Sequence, residues 1–135
     1  DERSEVSYPY SCEAWASVPV GTTGDVDRAV EVARDAGESE EWAGLLPSER
    51  ADLLQNIADV IEDHTDELAA METRQNGKLI REMRSQVQGL GDWYRYYAAQ
   101  SRTMEDRVVP VENKNGEMFN YVIKEPKGVV GAVPP

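Results

Sequence analysis

The chain has one cysteine, one histidine, one phenylalanine and only four lysines among its 135 residues. A single thiol, Cys12, can close no internal disulfide, and Cys12 with His64 supplies too few soft ligands for a zinc site. A serine or cysteine catalytic set would have to be built on His64 alone. No apolar run approaches the ~20 residues of a spanning helix, so a membrane-embedded role is excluded. The N-terminal stretch Asp1-Glu2-Arg3-Ser4-Glu5 lacks the basic start and apolar stretch of a secretory signal. Basic charge is also scarce. Fourteen Lys and Arg face 26 Asp and Glu, for a net charge of -12. A surface of that sign repels phosphate backbones and anionic lipid, which argues against nucleic-acid and membrane-surface partners.

What is present is a normal globular fraction. Hydrophobic residues make up 40% of the chain, and one domain of this length buries roughly 68% of its unfolded surface. The mean hydropathy of -0.60 therefore does not signal disorder. Ten arginines against four lysines, beside many carboxylates, fit a salt-rich cytosol or a genome whose base composition favours arginine. Both explanations stand.

Along the chain, strand-like residues around Val6-Ser7-Tyr8 and Ala14 to Val18 flank turn chemistry at Pro9, Ser11 and Cys12, which predicts a hairpin. Thr22 with Asp25 three residues on reads as a capped helix start, running through Val26, Ala29, Val30 and Ala33 to Gly37. Glu38 to Glu41 reads as an acidic loop that Trp42 anchors. Pro47-Ser48-Glu49 starts another helix, with Leu54, Ile57, Ala58, Ile61 and Leu68 on one face. His64 either continues that helix or opens a new one, and Gly77 ends it. Ile80, Met83, Val87, Leu90, Tyr94 and Tyr97 recur at spacings of three and four, the clearest helical signal in the chain. Past Met104 the period alternates. Val108 to Val111, the Asn115-Gly116 turn, and Phe119, Tyr121 and Ile123 describe a second hairpin, with Pro110 on an edge. Gly128 to Val133 is continuously apolar, the mark of a strand buried on both faces, yet nothing else in the chain offers it parallel partners. This predicts an α/β chain whose sheet is mostly missing.

Several stretches, in order, resemble the N-terminal part of the aldehyde dehydrogenase superfamily. They are Tyr8-Pro9-Tyr10-Ser11-Cys12-Glu13, with Cys12 at a usual glycine; Ser17-Val18-Pro19 through Asp25-Val26-Asp27-Arg28-Ala29-Val30; Trp42 with Pro47-Ser48-Glu49-Arg50-Ala51; Glu72-Thr73-Arg74-Gln75-Asn76-Gly77-Lys78; and Glu125-Pro126-Lys127-Gly128 through Pro134-Pro135. The resemblance implies the first part of that α/β fold. It divides the chain into an N-terminal hairpin and helices over 1–104, an oligomerisation hairpin over 105–125, and the first strand of a Rossmann-like sheet, truncated, over 126–135. It implies NAD or NADP as cofactor and an aldehyde as substrate, oxidised through a cysteine thiohemiacetal and thioester that a glutamate-activated water hydrolyses. A homo-oligomer (dimer or tetramer) joined through the 105–125 hairpin and a cytoplasmic location follow from the same likeness. No catalytic residue of the family and no metal ligand carries over. Val133, Pro134 and Pro135 do carry over, as a wall of the cofactor pocket.

Against these stand blander readings. Cys12 is a tolerated turn substitution, His64 a helix junction, Asn76-Gly77-Lys78 a helix C-cap, and Gly128 to Gly131 close packing rather than a dinucleotide fingerprint. Trp93, Tyr94, Tyr96 and Tyr97 read as core and subunit packing. The competing function is a self-contained, non-enzymatic helical module that binds a partner through its hairpin.

Overall fold

In the computed structural model the described residues are 2–112, 114, 116 and 118–133. The order of elements is β1 (Arg3–Ser7), β2 (Ala14–Pro19), α1 (Thr23–Glu38), α2 (Glu40–Ala43), α3 (Pro47–Asp63), α4 (Thr65–Asn76), α5 (Ile80–Thr103), β3 (Arg107–Val108) and β4 (Tyr121–Val122). The expected first hairpin is present, its outer strand starting three residues early. Arg3 pairs with Pro19 and Val6 with Ala16, and the register shifts between Val6 and Ser7. Arg3 holds the open end by donating to the Ser17 carbonyl at 2.7 Å. At the tip, Cys12 donates its N–H to the Tyr8 carbonyl at 2.8 Å and takes a φ of 59°.

Thr22 caps α1 as its sequence predicts, with Asp25 Oδ2 accepting from the Thr22 N–H at 3.0 Å. The predicted stop at Gly37 is wrong: α1 runs on to Glu38. A lone glycine costs a helix only about 1 kcal/mol, which does not end it. Ser39 ends it instead. Its hydroxyl donates to the Ala36 carbonyl at 2.9 Å and accepts from the Trp42 N–H at 3.3 Å, so one residue closes α1 and opens α2. The expected acidic loop is therefore mostly helix, with Glu40 and Glu41 at the positive end of its dipole. Trp42 is anchored as expected: Arg50 lies 4.7 Å over its ring and donates to its carbonyl at 2.7 Å.

His64 resolves the open choice. It ends α3 and precedes α4 as separate helices. Gly77 ends α4 with a φ of 74°, its N–H donating to the Thr73 carbonyl at 2.9 Å. A Cβ there would stand 3.1 Å from Pro9 Cβ, so the hairpin tip rests against this helix end and glycine suits both demands.

The core lies where α5 crosses α3 and α4. Ala51, Ala58, Ala69, Met83, Val87 and Ala98 are buried, with Ile61 and Leu68 packed beside Met83 and Val87. The periodic helix is where the spacing puts it, but its buried face is rotated. Met83, Val87, Gly91 and Ala98 point inward, whereas Leu90 and Tyr97 are exposed. On α3, Ile57 is likewise exposed and Ala51 and Ala58 make the contact.

The second hairpin is shorter than expected. Arg107 pairs with Val122 and Val108 with Tyr121, the Val109 N–H donates to the Asn120 carbonyl at 2.9 Å, and Asp106 accepts from the Lys124 N–H at 3.0 Å. Phe119, Tyr121 and Ile123 are all exposed. Asn115 of the expected tight turn lies outside the described residues. Residues 126–133 take no regular element and pair with no other described segment.

Candidate functional site

The chemically distinctive side chains are scattered. Cys12 is exposed at the hairpin tip, its Sγ 3.9 Å from the Pro9 carbonyl. His64 sits at the α3–α4 junction with Nδ1 3.2 Å from Glu67 Oε2, both side chains largely exposed. A base and a nucleophile that act together must come within hydrogen-bond reach, and these two belong to different elements with separate partners. Among the described residues no group of three His, Cys, Asp or Glu side chains is placed to hold a metal ion.

Asn76-Gly77-Lys78 is a helix cap, as the bland reading holds. The Asn76 carboxamide accepts from the Lys78 N–H at 2.9 Å and donates to Glu72 at 2.8 Å, leaving no cradle of free amides. Gly128 to Gly131 precedes no helix among the described residues, so the anion-binding turn of a dinucleotide fingerprint is missing there. Of the α5 aromatics, only Tyr94 is partly buried. Trp93, Tyr96 and Tyr97 are exposed, with the Tyr96 and Tyr97 rings edge-to-face at 5.3 Å between centroids. Within this chain they are not core.

Val133 is 97% exposed, while Pro134 and Pro135 lie outside the described residues. Just before it, Pro126 to Gly131 form one wall of an open groove of about 1460 Å³ whose other wall is α1 and α2, including Val30, Arg34 and Trp42. A second groove of about 690 Å³, almost purely apolar, runs along α3 past Leu53, Ile57 and Val60. As a cofactor site the tail is incomplete. It supplies an apolar side chain and unpaired backbone; Val133 lines neither groove, and the larger groove beside the tail is lined by Arg34, Arg50 and Lys127. The residues present fit one wall against a flat ring.

The strongest electrostatics lie elsewhere and had no forecast from sequence. Arg95 of α5 reaches Asp59 at 2.9 Å and grips both oxygens of Glu62 on α3. Those hydrogen bonds hold the Glu62 carboxyl below the ordinary glutamate range and push the Arg95 guanidinium upward. Arg84 meets Asp66 at 2.7 Å, and Arg102 meets Asp52. The available signal was arginine on one helix facing carboxylates on two others, which becomes readable only once the helices are docked.

The sequence model described as the aldehyde dehydrogenase family matches residues 1–135. The chain is 39% identical over 127 residues to (Z)-2-((N-methylformamido)methylene)-5-hydroxybutyrolactone dehydrogenase of Acinetobacter baylyi, covering 94% of this chain and 26% of that relative. It is 34% identical over 134 residues to a probable succinate-semialdehyde dehydrogenase [NADP(+)] of Sinorhizobium fredii, covering 99% of this chain and 26% of that protein. Among solved structures, a variant aldehyde dehydrogenase from Bacillus cereus superposes with a TM-score of 0.80 at 32% identity, over 89% of this chain and 24% of that one. A betaine aldehyde dehydrogenase variant from Staphylococcus aureus, in complex with NAD+, gives 0.78 at 27% identity, over 87% and 24%. The chain thus spans about a quarter of the length of these relatives.

Proposed function

Because the chain belongs to the aldehyde dehydrogenase family, we propose that it forms the N-terminal quarter of an enzyme that oxidises an aldehyde to a carboxylic acid with NAD or NADP. The observation that carries this reading is the unbroken family match across all 135 residues, together with relatives about four times as long. In the proposed parent a cysteine thiolate outside this chain adds to the aldehyde to give a thiohemiacetal, loss of hydride converts that to a thioester, and a glutamate-activated water hydrolyses the thioester to the acid and the free thiol. The bound nicotinamide would accept the hydride. Cys12, the one thiol of the chain, stands in an exposed turn, and among the described residues its Sγ has only a long contact to the Pro9 carbonyl.

The share assigned to this chain is structural support and one wall of the cofactor pocket. Val133, Pro134 and Pro135 are the residues proposed to lie along the dinucleotide. The unpaired backbone of 126–133 suits a segment that joins a sheet supplied by the rest of such an enzyme. The 126–135 segment is accordingly proposed as the first strand of that sheet, with 1–104 as the supporting hairpin and helices. The 105–125 hairpin, with its exposed Val108, Phe119 and Tyr121, is proposed as the element that joins a second subunit into a dimer or tetramer. A cytoplasmic location is part of the same proposal. Among the described residues no helix is long and apolar enough to cross a membrane.

The test is to express the whole reading frame that contains this chain and follow nicotinamide reduction by absorbance with a panel of aliphatic, aromatic and semialdehyde substrates. Reduction of NAD+ or NADP+ with acid as product is expected. A reading frame that supplies no further catalytic cysteine, or a protein that reduces neither coenzyme, overturns the proposal and leaves the non-enzymatic module.

A further inference from the structure

Beyond the Met83 and Val87 contacts with Ile61 and Leu68, the seam between α3 and α5 is smooth. Ala51, Ala58 and Ala98 are wholly buried in it and Gly91 is buried on the same face of α5. Small residues let two helices approach closely but offer few knobs to catch in holes, so packing alone discriminates weakly between neighbouring registers.

Set against that smooth seam is a ladder of arginines. Arg102 pairs with Asp52, Arg95 with Asp59 and Glu62, and Arg84 with Asp66. Positions rise along α3 and α4 as they fall along α5, the order an antiparallel pair requires. Every ion pair between helices among the described residues puts arginine on α5 and the carboxylate on α3 or α4. Glu62 also lies directly over Gly91, where a Cβ would come within 2.8 Å of Oε1. Sliding α5 by one turn moves each guanidinium about 5.4 Å, out of ion-pair reach of its carboxylate.

We propose that this arginine ladder sets the sliding register of α5 along the alanine- and glycine-lined part of its seam with α3, beyond the Met83 and Val87 contacts. It thereby decides where the chain leaves α5 for β3 and the tail. Exposed ion pairs contribute little to gross stability. Their effect here is a difference between one register and the next, which is how charges specify helix pairing elsewhere.

The register is read by cross-linking in the full-length protein that contains this chain, with Cys12→Gly and replacement of every other native thiol. Cysteines placed by Asp52→Cys with Arg102→Cys, by Asp52→Cys with Ala99→Cys, or by Asn56→Cys with Arg102→Cys are joined by a short bismaleimide. With the Arg95 and Arg84 rungs intact, the 52–102 pair should couple about tenfold faster than the pairs one turn away. Asp59→Arg with Glu62→Arg should abolish that preference at unchanged helix content, and adding Arg95→Glu should restore it. If the double reversal lowers helix content, Asp59→Asn with Glu62→Gln decides, and it should weaken the preference. Molar salt should erode the preference too, since it screens charge and leaves apolar contact intact. A preference that survives neutralisation of the acids, one indifferent to salt, or none in the parent chain overturns the proposal.

Discussion

Cys12 holds a φ of 59°, the one non-glycine residue with a positive φ among the described residues. Its exposed side chain gains only a long contact to the Pro9 carbonyl, which does not offset a left-handed backbone. Cys12→Gly is therefore expected to raise stability by about 1 kcal/mol in denaturant titrations of the complete protein. The turn was legible in Pro9, Ser11 and Cys12, and the positive φ was not, because cysteine carries no signal for it. Met83 is the opposite case. It is 2% exposed and the largest fully buried side chain, so Met83→Ala should cost about 2–5 kcal/mol by the same titration. Glu62 and Asp25 make pH the third residue-level test. Hydrogen bonds from Arg95 and from the Thr22 backbone hold these carboxyls below their ordinary values of 4.5 and 3.8. The folded chain therefore binds fewer protons than the unfolded one on the acid side of those values. The stability they contribute is whole at neutral pH and is lost as pH falls through the lowered values. Thermal melts should accordingly be flat near neutrality and decline modestly on the acid side, since both carboxyls are solvent-screened. A midpoint that is insensitive to acid contradicts this.

At the scale of elements, helix starts were written in the sequence and helix ends less so. The Thr22–Asp25 box satisfies backbone donors locally, which is why it could be read without tertiary information. Thr22→Ala is expected to cost about 1 kcal/mol, measured as a drop in the melting midpoint and a loss of amide protection confined to the first turn of α1. Gly37 misled because its propensity cost is small beside the hydrogen bonds of a continuing helix. Ser39, whose hydroxyl serves two helices at once, was invisible to a reading that treats caps one at a time. The α5 periodicity announced a helix and misplaced its inward face. Spacing marks an apolar stripe, but α5 carries two sets of apolar residues, and the set that went inward is the one whose small members let α3 approach. Leu90, Trp93 and Tyr97 are left outside.

For the whole molecule, most large apolar side chains stay at the surface, Val26, Leu53, Ile57, Val60 and Val130 among them. That pattern and the unpaired tail accord with the proposed role as one part of a larger enzyme. Under that reading the chain by itself should melt with little cooperativity and bind a hydrophobic dye, whereas in the complete protein the amides of 128–133 should exchange slowly. Fast exchange there in the complete protein contradicts the strand proposed for that segment.

Family membership, the starts of the three long helices α1, α3 and α5, and the two hairpins were legible from residue order, because motif blocks, caps and periodicity are local properties of the chain. Which helix faces meet and the ionic seam that joins α5 to its neighbours required the folded chain, whereas the lack of partners for 126–133 was already legible in its solitary apolar run. Those features depend on which groups come near one another across dozens of residues, and local spacing carries no record of that distance.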